Sequence, residues 1–291
     1  MTREHEPPAA PVRTARQEIH ARLKEALAGR LPVATATVVR GEPLGAKLLV
    51  LPGETVGSLG DSALDARAAI DARALLREER SETRPYAAAA RGEAVEVFLE
   101  TFPPPPTLLI FGAVHVAQAL TRFAKALGFD VVVVDARAKL ATRERFPDAD
   151  RIMEAWPDEA LQELAIEPNT YVAILTHDPK FDEPALLGTL ETPARYVGAV
   201  GSRKTNRDRR RRLLEAGVAP ERLARIRGPI GLDIGAETPE EMAISILAEI
   251  IAVRHGRAGG ALTEATGHIR GRVQGMDGAT EPAEPALVPS A

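Results

Sequence analysis

The sequence predicts an α/β chain in which a doubly wound, mostly parallel sheet follows a smaller α+β module. Three observations carry this. Residues 107–137, TLLIFGAVHVAQALTRFAKALGFDVVVVDAR, run from an apolar β-stretch through Gly112 and a helical stretch into a second β-stretch closed by Asp135, the layout of a βαβ unit. Further β-runs alternate with helical stretches after it. The four prolines 103–106, which favour polyproline II and cannot join a ladder, form a short stiff spacer immediately before the first of these strands.

The elements follow in order. Residues 12–28 carry helix-spaced apolar positions and stop at Gly29, a C-cap. Residues 33–39 and 47–51 read as strands around a Gly/Pro turn, 62–80 as an Ala/Leu/Arg-rich helix, and 94–100 as an alternating strand. Beyond the spacer, strands are expected at 107–111, 130–134, 151–154, 171–175 and 195–200, giving a Rossmann-like domain over 107–256 after an α+β domain over 12–102. Ser202 caps a basic helix over 203–215, whose run 207–212 reads as a solvated face. A Gly-rich loop, 228–238, enters a final helix over 240–254, with Thr238 as N-cap, Pro239 in the first position and Glu241 completing a capping box. Ala243, Ile244, Ile246, Leu247, Ile250 and Ile251 supply its apolar face. The Pro/Gly/Ala/Glu-rich stretches 1–11 and 257–291 lack periodicity and read as disordered tails.

Composition excludes several functions. A net charge of -4 argues against nucleic acid as partner, and the absence of cysteine removes disulfides, thiolate metal sites and thiol nucleophiles. The polar N-terminus and the lack of a long apolar run predict a cytoplasmic chain without membrane attachment. No metal site and no catalytic residue is predicted.

In doubly wound sheets ligands sit beyond the carboxyl ends of the strands, so the residues following each strand form the candidate site. These are Gly112 and His115, Asp135 with Arg137, Thr176-His177-Asp178, and Gly201-Ser202-Arg203-Lys204. Asp135 reads either as a turn cap or as a contact to a ribose or similar polar group. His115, in the first helical turn, reads as solvent-directed or as a ligand contact. Histidine as a residue type titrates near neutral pH, which makes His177, with Asp178 placed to orient it, a candidate for site chemistry; the alternative is a histidine bonded to loop backbone. Ser202 and Arg203 open a helix suited to an anion. The dinucleotide fingerprint is damaged, because Val114 stands on its second glycine, so NAD(P) is disfavoured.

The stretches FGAVHVAQAL, DARAKLATRERFPDAD, LTHDPKFD, YVGAVGSRKT and PIGLDIGAETPEEMAISILAEIIAVRHG resemble the XdhC/CoxI family of molybdoenzyme accessory proteins. GAKLLVLPGETVGSLGDSALD and EAVEVFLE are similar, more loosely, to that family's N-terminal module. The resemblance implies a dimeric protein that binds molybdenum cofactor and assists its sulfuration and delivery. Its implied partners are a client such as xanthine dehydrogenase and a cysteine desulfurase. It adds Gly57, Ser58 and Gly60 to the candidate cofactor-binding residues. The sequence departs from the family pattern where Ala63 replaces a cysteine, where Asp61 and Ser62 replace glycines, and where Arg91-Gly92-Glu93 replaces Cys-Gly-Gly. A thiolate is a soft ligand suited to molybdenum or sulfur relay, and Ala63 supplies neither. Three classes follow: a cofactor-carrying maturation factor, a nucleotide-dependent oxidoreductase, and a non-catalytic docking or regulatory protein with an empty crevice.

Overall fold

The computed structural model describes residues 14–87 and 94–265, which form two compact units divided between Pro104 and Pro105. In the first, α1 (Ala15–Ala28), β1 (Val33–Arg40), β2 (Lys47–Val50), β3 (Thr55–Ser58), α2 (Ser62–Arg77), β4 (Glu82–Ala87) and β5 (Ala94–Phe102) build a five-stranded antiparallel sheet ordered β3-β2-β1-β5-β4. Alternation along β1 sends Ala34, Ala36 and Val38 to one face, where they meet Leu64, Ala68, Ala72 and Leu75 of α2. Val33 goes to the other face, where it packs with Leu49 and with Ile19 and Ala26 of α1. A helix therefore covers each face.

Two strands here were not expected. β4 reads ETRPYA, a polar run interrupted by Pro85, and it is the sheet's edge, where a proline does no damage to the ladder. β3 lies inside the Gly-rich motif, which obscured it. Gly29 is the C-cap of α1 as expected, at φ -79, and the left-handed residue after it is Arg30 at φ 54, while Leu31 N–H reaches the Ala26 carbonyl. α2 ends at Arg77 rather than 80, with Glu79 left-handed at φ 54 and Arg80 N–H on the Leu75 carbonyl.

The second unit contains β6 (Thr107–Phe111), α3 (His115–Ala126), β7 (Asp130–Val134), β8 (Arg151–Met153), α4 (Pro157–Glu163), β9 (Thr170–Ile174), α5 (Pro179–Leu190), β10 (Tyr196–Ala199), α6 (Arg203–Glu215), α7 (Pro220–Leu223), β11 (Ile226–Arg227) and α8 (Pro239–Arg254). Its six strands are all parallel, ordered β11-β10-β9-β6-β7-β8. The chain passes from β6 to β7 and β8 on one side, then returns to place β9 on the other. The switch point of the sheet thus lies between β6 and β9. Strands buried on both faces read as continuous apolar runs, as LLIF and VVVV do. One face carries α3 and α8 over Leu108, Ile110, Val131, Val133 and Tyr171, and the other carries α5 and α6 over Leu109, Phe111, Val172 and Ile174.

Three expectations fail in this unit. The run 207–212 is not a solvated face: Arg209 is 2% exposed, Arg210 binds the carbonyls of Leu223 and Ile226, and Arg212 pairs with Glu183. Ile244 and Ile251 of α8 are exposed, since the apolar stripe is wider than the surface it covers. Residues 257–265 carry a 3-10 turn, Leu262–Glu264, where a tail was expected. The expectations for 1–11, 91–93 and 266–291 fall outside the described residues.

α8 starts as its sequence predicts. The Thr238 side chain accepts from Glu241 N–H while the Glu241 carboxylate accepts from the Thr238 N–H, with Pro239 in the first turn. Thr238→Ala removes half of this reciprocal cap and should cost about 1 kcal/mol in denaturant unfolding. Thr238→Ser should retain most of it.

Candidate functional site

The carboxyl ends of β7, β6, β9 and β10 lie side by side, and the residues that follow them are joined by short contacts. Gly112 holds φ +107, and a Cβ there would sit 2.5 Å from the Thr176 methyl, so only glycine lets the turn after β6 pass the end of β9. From Asp135, at the end of β7, a carboxylate reaches into that turn and accepts the Ala113 N–H at 2.8 Å.

Asp135 is 0% exposed, and its remaining lone pairs take the Arg137 backbone N–H at 3.0 Å, Nε at 2.8 Å and Nη2 at 2.7 Å. Burial alone would raise its pKa. The Arg137 fork and the two backbone N–H groups overcome that and hold it below the ordinary carboxylate range. Its lone pairs are therefore engaged by the protein itself, and the group clasps the first loop to the second strand. Arg137 remains largely open to solvent, held in the charged state by Asp135 and, more weakly, by Asp178 from the neighbouring loop.

Beneath the β9 loop lies a pair that was not anticipated from sequence. Asp182 of α5 and Arg209 of α6, both 2% exposed, meet at 2.8 Å. The Thr176 hydroxyl donates to Asp182, and Arg209 also donates to the Val200 carbonyl at 3.0 Å and to Asn206 Oδ1 at 2.7 Å. Asn206 in turn donates to the carbonyls of Gly201 and Ser202. Burial raises the Asp182 pKa, against the opposing pull of Thr176 and Arg209. One buried network thus sets the backbone of the loops at 176 and at 200–202. Periodicity could have revealed it, because Asn206, Arg209 and Leu213 share the buried face of α6.

The anticipated site residues fall as follows. His177 is exposed immediately after β9. Asp178 is the N-cap of α5, accepting the Lys180 N–H at 3.0 Å through one carboxylate oxygen. Ser202 caps α6 by accepting the Thr205 N–H, and Arg203 is exposed beside it. His115 is exposed at the first position of α3, whose N-cap residue Val114 supplies no side-chain bond. The Val114 side chain is half-buried against the core. Arg145, which sequence reasoning passed over, donates to the Ala113 carbonyl at 3.1 Å. Among the described residues no group of three or more His, Asp or Glu is arranged to hold a metal ion.

Gly57, Ser58 and Gly60 belong to the first unit. Gly57 at φ +93 and Gly60 at φ +96 occupy backbone that only glycine takes readily, and a Cβ on Gly57 would meet the Lys47 carbonyl oxygen at 2.5 Å. Ser58 donates to Asp65, which also accepts the Leu59 N–H at 2.6 Å. Asp61, where a glycine was expected, caps α2 through the N–H groups of Ala63 and Leu64. Ala63 is exposed in the first turn of that helix.

Residues 108–250 match the family described as the XdhC Rossmann domain, and residues 26–87 match the XdhC and CoxI family. The chain belongs to the XdhC/CoxI family. Over 170 residues it is 38% identical to the uncharacterized protein YqeB of Escherichia coli, covering 58% of the chain and 31% of YqeB. A protein of Bacillus subtilis described as a probable xanthine dehydrogenase subunit is 33% identical over 162 residues, 56% of this chain and 47% of that protein. The molybdenum cofactor insertion chaperone PaoD of E. coli is 31% identical over 153 residues, 53% and 42% of the two chains. The match therefore spans less than half of each of these relatives. A crystal structure of a xanthine dehydrogenase from Bacillus halodurans is similar at a TM-score of 0.48 and 26% identity, over 81% of this chain and 96% of that one.

The two buried acids of this XdhC-family unit respond to pH with opposite signs. Asp135, depressed in the folded state, contributes stability above its unfolded pKa of about 4, and that contribution is lost as pH falls through the folded value. Asp182, raised in the folded state, takes its proton more readily when folded and adds nothing to acid unfolding. Asp135→Asn should lose about 2 kcal/mol at pH 7 and show a flatter stability profile than wild type between pH 5 and 3. Arg209→Ala should cost about 3–5 kcal/mol, because it strands a buried carboxylate. Urea titrations across pH measure both.

Proposed function

We propose that this chain is a maturation factor for a molybdenum enzyme, holding molybdenum cofactor in the crevice beyond β6, β7, β9 and β10. The observation that carries the reading is the donor set at those strand ends. Arg137, His177, Arg203 and Lys204 stand with the starts of α3 and α6, and the Ser202 side chain occupies only the Thr205 N–H of the second helix. Guanidinium, ammonium, imidazole and backbone N–H groups suit a phosphate and the polar edge of a pterin. The names of two relatives, a cofactor insertion chaperone and a probable component of xanthine dehydrogenase, point the same way.

The fit is to the organic part of the cofactor. With no cysteine in the chain there is no thiolate to take the metal, so the residues present would hold the group by its phosphate and ring. When bound, the cofactor supplies the redox-active metal that the client enzyme uses. This chain's residues do the binding and orienting: Arg203 and the α6 N–H groups take the phosphate, and His177 takes a ring heteroatom. Sulfur chemistry then falls to a partner such as a cysteine desulfurase, and delivery to a client such as xanthine dehydrogenase.

Two observations weigh against a nucleotide-dependent oxidoreductase. The Asp135 carboxylate, which would face a ribose, is fully buried and engaged, and Val114 replaces the glycine that admits a pyrophosphate. Isothermal titration should detect no micromolar binding of NAD(P).

Cofactor retention after anaerobic gel filtration tests the carrier reading. Arg203→Ala should weaken binding by about 1.5–3 kcal/mol, and the loss should shrink as salt rises. His177→Ala should weaken it without that salt dependence, since a neutral imidazole contributes no net charge. A wild type that retains nothing overturns the reading and leaves a docking protein.

A further inference from the structure

At the opposite end of the second unit's sheet, the amino ends of β10 and β11 and the last turn of α8 enclose a pocket of about 160 Å³. Its lining is Ala194, Arg195, Tyr196, Val197, Ala224, Arg225, Arg227 and Val253, with three guanidinium groups and no carboxylate. Nothing in the proposed carrier role uses it, because the crevice lies beyond the other ends of the same strands.

Four carbonyls around the pocket accept arginine N–H groups. Arg225 donates Nη1 to the Leu190 carbonyl at 2.8 Å and Nη2 to those of Thr192 and Ala194 at 3.0 and 2.7 Å. Arg195 donates to the Arg254 carbonyl at the end of α8, at 2.9 Å. For Arg225 these carbonyls fix the orientation of the guanidinium without cancelling its charge. Of the five N–H donors of Arg225, three are used, and its Nε–H and one Nη1–H are left. Arg227 stands 53% exposed at the rim with Nη1 3.7 Å from Glu249 Oε1, beyond hydrogen-bond reach. Glu249 meanwhile accepts the Tyr196 hydroxyl at 2.5 Å and the Gly231 N–H at 2.8 Å through its other oxygen. A guanidinium held by three carbonyls at the back and a half-exposed one at the rim, in a pocket of this volume, match a small tetrahedral oxyanion.

We propose that this pocket is a second binding site, specific for a phosphate group, either the free ion or a small phosphomonoester. Arg225 forms its preorganised floor, and Arg227 swings from Glu249 onto the bound anion. Thermal unfolding of the full chain is followed against inorganic phosphate and, separately, glycerol 3-phosphate, with chloride at matched ionic strength as reference. A saturable rise in midpoint is expected with at least one probe, and the tighter of the two identifies the source. Arg227→Ala, whose side chain is mostly in solvent, should fold normally and weaken the response at least about tenfold, the effect of losing a charged hydrogen bond. Arg227→Lys should recover part of it, and Arg211→Ala, a surface charge elsewhere on the unit, should leave it unchanged. The proposal is overturned if neither probe gives a saturable shift, or if Arg227→Ala responds like wild type. It is also overturned if Arg203→Ala, at the crevice, abolishes the response while Arg227→Ala does not.

Discussion

Arg209 and Asp182 face each other at 2.8 Å inside the second unit, both shielded from water, and the loops of the candidate crevice hang from that contact. A buried ion pair is weak evidence for stability, since the desolvation of both groups offsets most of their attraction. Its consequence here is positional. Through Thr176, Asn206 and the Val200 carbonyl, the pair sets the backbone at the ends of β9 and β10. The side chains displayed there, His177 and Arg203, are exposed.

Asp135 plays the matching part on the other side of the switch point. In a dinucleotide-binding unit the acid ending the second strand is turned toward ligand. Here four hydrogen bonds from Ala113 and Arg137 hold it inward. The guanidinium of Arg137 becomes the outward-facing group in its place, changing the sign of the charge offered at that position. The Rossmann-like frame thus carries a cationic group at the end of β7.

One departure from the family pattern in the first unit has a structural account. Asp61 replaces a glycine and caps α2, and Asp65 gathers Ser58 and the Leu59 N–H into the turn before that helix. Gly57 and Gly60 remain glycine because their φ angles and close neighbours require it. The described part of the module folds as a five-stranded sheet in a chain that has no thiol.

Much of this architecture was legible in the residues. The apolar runs LLIF and VVVV, the helix signals Ser202 and Thr238-Pro239, and Gly112 are local features, set by periodicity, caps and allowed φ within a few residues. β4 escaped because its sequence, ETRPYA, is tolerated only at an edge, and being at an edge is a property of the whole sheet. The direction in which Asp135 points and the partner that Arg209 finds were also hidden, although the periodicity of α6 and the Asp178-Pro179 pair carried local signals for the burial of Arg209 and for the cap of α5. Both depend on partners contributed by other elements: Ala113 twenty-two residues away, and Asp182 twenty-seven away. By itself the sequence determined most of the elements, their order and the strand ends of the candidate crevice, but not β3 or β4. Only the tertiary structure decided which polar groups there are buried and engaged and which face outward, because desolvation and pairing are settled between elements rather than within them.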